Sequence, residues 1–200
     1  MVYIAKSIAK ELQYVKLGIL EYEAEIRESD NEINNLLNEK ISELSNMKME
    51  DIRKINAVED TRAAYKLLGN NPSNQINNIV DINNYMSISS GYTVGSYMLE
   101  NIDGDVCLDV QKEDAYYDGI GKEKVNYSKM PVLFDGKGAF GSTTSDSQRT
   151  MVKMGNHKII SVIYCFSNTE LNAVIQEYKK LLVQYAGIHE EEIYEYIVEK

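Results

Sequence analysis

The feature that most constrains the fold is a change of period near the start of the chain. Residues 15–26, VKLGILEYEAEI, alternate in part and include β-branched side chains, which predicts one long strand. The spacing then changes. Ile33, Leu36, Leu37, Ile41 and Leu44 recur on one helical face, and Ser29 with Glu32 reads as a capping box at its start. A second helix is expected from Asn56 with Glu59, carrying Val58, Tyr65 and Leu68 and stopping at Gly69. The clearest helix comes late: Ser167 with Glu170 marks its start, Leu171, Val174, Ile175, Tyr178, Leu181, Leu182 and Tyr185 its apolar face, and Gly187 its end. Between the helices lie the strand candidates 104–110, 132–135 (before an Asp–Gly turn) and 157–166, and the asparagine-rich stretch 70–78 reads as a loop. Helices therefore flank a strand-rich middle without regular alternation. This predicts an α+β fold, a single domain over residues 1–200 with a central mixed β-sheet region and flanking helices, rather than a doubly wound sheet.

Bulk properties narrow the function classes. A chain of 200 residues that is 44% hydrophobic can bury one sizeable core. Mean hydropathy is -0.37, no apolar run approaches the roughly 18–20 residues that span a bilayer, and lysines interrupt the apolar residues of the opening MVYIAKSIAKEL. Neither a membrane span nor a signal peptide is expected. Cys107 and Cys165 sit in strand-like runs without metal-ligand spacing, and read as two buried, reduced thiols of a cytoplasmic protein. The net charge is -10 and the pI about 4.8, with no run of lysines and arginines longer than a pair. Stable, nonspecific nucleic-acid binding is disfavoured. A transient visit by the end of an RNA stays compatible, because whole-chain charge does not describe one local patch.

The common catalytic signatures, GxSxG, HExxH, GxGxxG after a strand and GxxxxGK[ST], are absent. His157 opens a β-branched run and His189 precedes an acidic tail; they read as strand-edge and surface histidines, although a spatial triad using either stays open. No metal or cofactor is expected. What remains are two small-residue segments, 91–97 (GYTVGSY) and 138–150 (GAFGSTTSDSQRT), the second reading as a turn and loop. Gly91 and Gly95 let backbone approach a ligand. Ser142, Thr143, Thr144, Ser145 and Ser147 can orient water or hold polar ligand atoms. Asp146 can bind an ammonium group or take a proton from water, and Arg149 can pair with a carboxylate or phosphate, or lock Asp146 in place. On composition alone, a solvated loop with a supporting ion pair is the favoured reading.

Three blocks change that balance: 76–97 (INNIVDINNYMSISSGYTVGSY), 117–150 (YDGIGKEKVNYSKMPVLFDGKGAFGSTTSDSQRT) and 158–166 (KIISVIYCF). As an ordered set they resemble the tRNA-binding and editing domain of the bacterial phenylalanyl-tRNA synthetase beta subunit, the B-three/B-four domain, and more closely the free-standing proteins built of that domain alone. The resemblance is strongest over 76–166. The first seventy residues share only the general layout and the run RAAYKLLG. The resemblance implies a central polar pocket and hydrolysis, in trans, of the ester joining an amino acid to the 3′ end of a tRNA. It implies a transient aminoacyl-tRNA 3′ end as partner. A non-catalytic module binding a free amino acid or an RNA end is the alternative. Carried over position by position, Asp81 and Asn84 match the VD-x-x-N helix, the synthetase's histidine falls on Gly95, and its pocket glutamate falls at about Ser145 or Asp146. The implied catalytic set is Asp146, Thr144 and Ser145, and the implied binding set is Asn84, Gly91, Gly95, Ser142, Thr143, Ser147 and Arg149. The free-standing relatives carry an extra helical stretch between their P-S and I-N motifs, whereas here Ser73 is almost directly followed by Ile76.

Overall fold

A computed structural model of the chain describes residues 1–47, 76–111, 115–121 and 124–199. In chain order these residues form β1 (Val2–Ile4), α1 (Lys6–Glu11), β2 (Lys16–Ile26), α2 (Asn31–Ser45), α3 (Asn78–Ser90), β3 (Val94–Met98), β4 (Val106–Val110), β5 (Tyr116–Tyr117), β6 (Val125–Asn126), β7 (Pro131–Asp135), β8 (Gly138–Ser142), β9 (Gly155–Cys165), α4 (Asn172–Leu181) and β10 (Tyr194–Val198). The helix Asn56–Gly69, the loop residues 70–75 and the junction at Ser73 lie outside the described residues.

The period-two stretch becomes the spine. β2 and β9 pair antiparallel along their full length, from Lys16 opposite Cys165 to Ile26 opposite Gly155. With β10 and β3 on their outer sides they make an antiparallel sheet ordered β10-β2-β9-β3. A second, mixed sheet runs β1-β4-β7-β8, with β1 parallel to β4 and the rest antiparallel. Alternation sorts the side chains of the spine into two cores. Leu20, Tyr22, Ala24 and Ile26 of β2, with Ile159 and Ile163 of β9, pack against α2, α3 and α4. Leu17 and Ile19, with Ile160, Val162 and Tyr164, pack against the second sheet. The architecture is α+β in three layers, helices, antiparallel sheet and mixed sheet. Among the described residues no helix is long and apolar enough to cross a membrane.

Several local expectations are corrected. The apolar face of α2 is buried as expected, but Ser29 does not cap it. Asp30 holds the N-cap position, its carboxylate is taken bidentately by Arg27 at 2.9 and 3.1 Å, and the Ser29 hydroxyl instead donates to Asp81. The last helix starts at Asn172, because the Ser167 hydroxyl is engaged by Thr169 at 2.9 Å. It ends in one wide π turn at Leu182–Ala186 before Gly187, whose φ is 71°. Residues 138–142 are strand β8, not loop. Tyr194–Val198, in the acidic tail, form edge strand β10. Cys165 is buried, but Cys107 is only partly so; both are free thiols.

Candidate functional site

The connection from β8 to β9 returns past the free edge of β3 and the first half of α3, and a cavity of about 490 Å³ opens between them. Asn77 caps α3, accepting from the Val80 amide at 2.9 Å. Asp81, deeply buried, accepts from the Ser29 hydroxyl and the Ile76 amide, so the start of α3 is tied to the chain that leads into α2. Burial raises the Asp81 carboxyl above the ordinary range. The helix thus presents Asn83 and Asn84 to the cavity from a fixed base, and β3 presents Gly95 and Ser96.

Asp146 closes the other side. One carboxylate oxygen, Oδ1, accepts from the Tyr97 hydroxyl at 2.8 Å and lies 3.4 Å from the Ser142 amide. Among the described residues Oδ2 has no hydrogen-bond partner. Burial pushes this carboxyl up to about 6, against the pull of Tyr97 and the Ser142 amide. Tyr97 is itself fully buried and contacts the Tyr164 hydroxyl at 2.9 Å. Burial raises both phenols far above neutrality, so they stay protonated, and the donors line up from Tyr164 to Tyr97 to Asp146. The hydroxyl of Tyr97 occupies a slot between Gly95 and Gly141, where a β-carbon at either position would collide with it.

Of the residues expected in the site, Asn84, Gly95 and Asp146 line the cavity together. Gly91 does not; it ends α3 with φ 76°. The hydroxyl residues build the turn that holds Asp146 rather than lining the cavity. Ser142 Oγ accepts from the amides of Thr144 and Ser145 at 3.3 and 3.1 Å and donates to the Ser145 carbonyl at 2.7 Å. The Tyr117 hydroxyl donates to the same carbonyl. Ser145 Oγ donates to the Thr144 carbonyl at 2.6 Å, and buried Ser147 Oγ accepts from the Arg149 amide at 3.2 Å. Thr143 and Thr144 lie on this turn outside the cavity wall. Arg149 does not pair with Asp146. Its guanidinium grips Asp135 bidentately at 2.8 and 2.9 Å and donates to the carbonyls of Asn101 and Gly138. His157 pairs with Glu100 at 2.5 Å on the strand edge, and neither histidine lines the cavity. Among the described residues no cluster of three or more His, Cys, Asp and Glu side chains is arranged to hold a metal.

Tyr97 and Asn83 are the site residues that sequence reasoning passed over. The signal for Tyr97 was the pair of glycines, but only the fold shows that they face one hydroxyl.

The family model described as the B3/4 domain matches residues 45–183. Among solved structures, an N-terminal fragment of the phenylalanyl-tRNA synthetase beta-subunit from Pyrococcus horikoshii matches with a TM-score of 0.54 at 10% sequence identity. The match covers 100% of this chain and 54% of that fragment, so the chain spans about half its length. At that identity the likeness shows a shared fold. No curated protein matches the chain by sequence.

Proposed function

The chain belongs to the B3/4 domain family, and from that premise we propose that it is an aminoacyl-tRNA deacylase acting in trans, with the cavity beside α3 as its active site. The observation that carries the reading is Asp146, a partly buried carboxylate in the wall of a cavity large enough for an aminoacyl group, with one oxygen fixed by Tyr97 and the other without a partner among the described residues. In the reaction, water attacks the ester carbonyl carbon and gives a proton to Asp146. The bond from that carbon to the ribose oxygen breaks, and the proton passes to the leaving ribose hydroxyl. Free amino acid and uncharged tRNA result. A carboxyl near 6 suits this work, being ionised at neutral pH yet basic enough to take a proton. An ammonium anchor is the other role open to the same oxygen. Asn84, whose side chain has no hydrogen-bond partner among the described residues, offers a donor and an acceptor for the substrate.

The test is deacylation of a panel of charged tRNAs by the purified protein beside Asp146→Asn and Asp146→Ala. Release of one amino acid, reduced roughly 10²–10⁴-fold in both variants, is the expected outcome. One observation favours a second reading, a binding module that retains an amino acid or RNA end without hydrolysis. Where the resemblance places a histidine, Gly95 leaves no room for a side chain, because the Tyr97 hydroxyl fills that space. Binding of free amino acids with no turnover across the panel would select it.

A further inference from the structure

Five side chains from five elements meet beneath the cavity on the helix side of the central sheet: Tyr22, Asn83, Ser96, Ser161 and Tyr178. All are buried. The Tyr22 and Ser161 hydroxyls are 2.8 Å apart, those of Ser161 and Ser96 2.6 Å, and Ser96 Oγ lies 3.1 Å from Asn83 Oδ1. Tyr178 also donates to Asn83 Oδ1. Each hydroxyl has a single proton to give. One assignment uses all four at good distances: Tyr22 to Ser161, Ser161 to Ser96, and both Ser96 and Tyr178 to Asn83 Oδ1. The opposite amide orientation closes only by drawing on the 3.4 Å contact between Ser96 and Tyr178. The network therefore fixes Asn83 with its oxygen inward.

That leaves Asn83 Nδ2. The residue is 5% exposed, it lines the cavity, and its amide nitrogen has no partner among the described residues. A donor that faces a cavity from an otherwise buried side chain can take its acceptor from a ligand bound there. We propose that Asn83 is a ligand-binding residue whose Nδ2 donates to an acceptor oxygen of the aminoacyl group. This rests on the reading of the cavity as an aminoacyl site. Two oxygens have the required chemistry, the acyl carbonyl and a side-chain hydroxyl. At the carbonyl, the bond strengthens as negative charge develops during hydrolysis. The network beneath serves to hold the amide still, which is what such a donor requires.

The probes are 3′-aminoacylamido-adenosines, which keep the acyl carbonyl but resist hydrolysis, in alanyl, seryl and tyrosyl forms. Two measurements are made: the shift of the Asn83 side-chain amide resonances of the wild-type protein on titration, and the affinity of Asn83→Asp. That substitution keeps an oxygen to accept from Ser96 and Tyr178 but replaces the amide donor with a carboxyl oxygen that carries charge when ionised, so Asn83→Leu, which removes the donor without adding a charge, is measured beside it. Ser96→Ala, which cuts the network without touching Nδ2, is the control for packing. Movement of the Asn83 resonances with all three probes, and at least tenfold weaker binding of all three by Asn83→Asp, assigns the donor to the acyl carbonyl. The same response to the seryl and tyrosyl probes alone assigns it to a side-chain oxygen. Either result supports the proposal. If the probes shift Asn84 and Gly95 while the Asn83 side chain stays still and Asn83→Asp binds normally, the proposal is overturned and the aminoacyl site stands. If the wild-type protein binds none of the probes, both fall.

Discussion

The Tyr97 hydroxyl is wedged between Gly95 and Gly141, and this close fit couples the site's electrostatics to its packing. Tyr97→Phe removes the bond that draws the Asp146 carboxyl down, so the pH midpoint of any activity that needs the carboxylate should move to higher pH. The lost buried hydrogen bond should cost about 1–2 kcal/mol in denaturant unfolding. Gly95→Ala should be destabilised by about 1–3 kcal/mol, because its β-carbon and the hydroxyl cannot share the space. In the double variant with Tyr97→Phe the two effects should fall short of their sum, a coupling read by a double-mutant cycle. Asp146 makes its own prediction. Its carboxyl is raised from 3.8 to about 6 in the folded protein. The folded state therefore holds the proton more tightly than the unfolded chain. The stabilisation is complete below the unfolded value and is lost as pH rises through about 6. Asp146→Asn should remove that loss and be more stable than wild type at pH 7.5, by no more than about 3 kcal/mol. Activity should run the other way, rising with pH through about 6. An unfolding free energy that is flat from pH 4 to 7.5 in both proteins would show that burial does not shift this group.

The hairpin of β7 and β8 shows how an element can hold a site it does not line. Burial alone would raise the Asp135 carboxyl, but the Arg149 hydrogen bonds, with the amides of Asp103 and Lys137, outweigh it and hold it below the ordinary range. Arg149 joins this carboxylate to the carbonyls of Asn101 and Gly138, and so pins the far end of the turn that carries Asp146. Arg149→Lys keeps the charge and loses the planar fork. It should cost about 1–3 kcal/mol in thermal unfolding. Deacylation should fall through kcat more than KM if the turn shifts, and an unchanged melting temperature would refute the pinning role. The same hairpin marks where sequence reading stopped. The strand β2 and the apolar faces of α2 and α4 were legible because their periods are local and are set by burial on one side. GAFGS read as loop because its glycines suit a loop equally well, and the reason for Gly141 is a tyrosine 44 residues earlier in the chain. On composition alone Asp146 and Arg149 read as a supporting ion pair. Asp135 wins that arginine because the hairpin brings it there with its side chain fully buried.

For the whole molecule, the charge of -10 sets how a nucleic acid can be held. An RNA bound along its backbone needs a row of cations, each releasing counterions when phosphate displaces them. Among the described residues lining the cavity the one cationic side chain is Lys153, exposed at the mouth beside Met154. The large apolar side chains there, Ile76, Ile120 and Met154, are each about half exposed. On the proposed reading, such a rim should take one nucleotide carrying one phosphate rather than a tRNA body. With a single contact, the logarithm of affinity should fall against the logarithm of salt with a slope of about -0.7. From 50 to 200 mM salt the loss should then be about threefold, against the about 10³-fold or more of a protein that grips many phosphates. Charged tRNA and the aminoacylamido-adenosine 5′-phosphate should bind within about tenfold of each other, and Lys153→Ala should flatten the slope towards zero. The measurement is a salt titration of binding for both ligands. A slope near that of a multi-phosphate binder for tRNA alone, with the nucleotide unaffected, would locate a second, basic contact surface beyond the cavity.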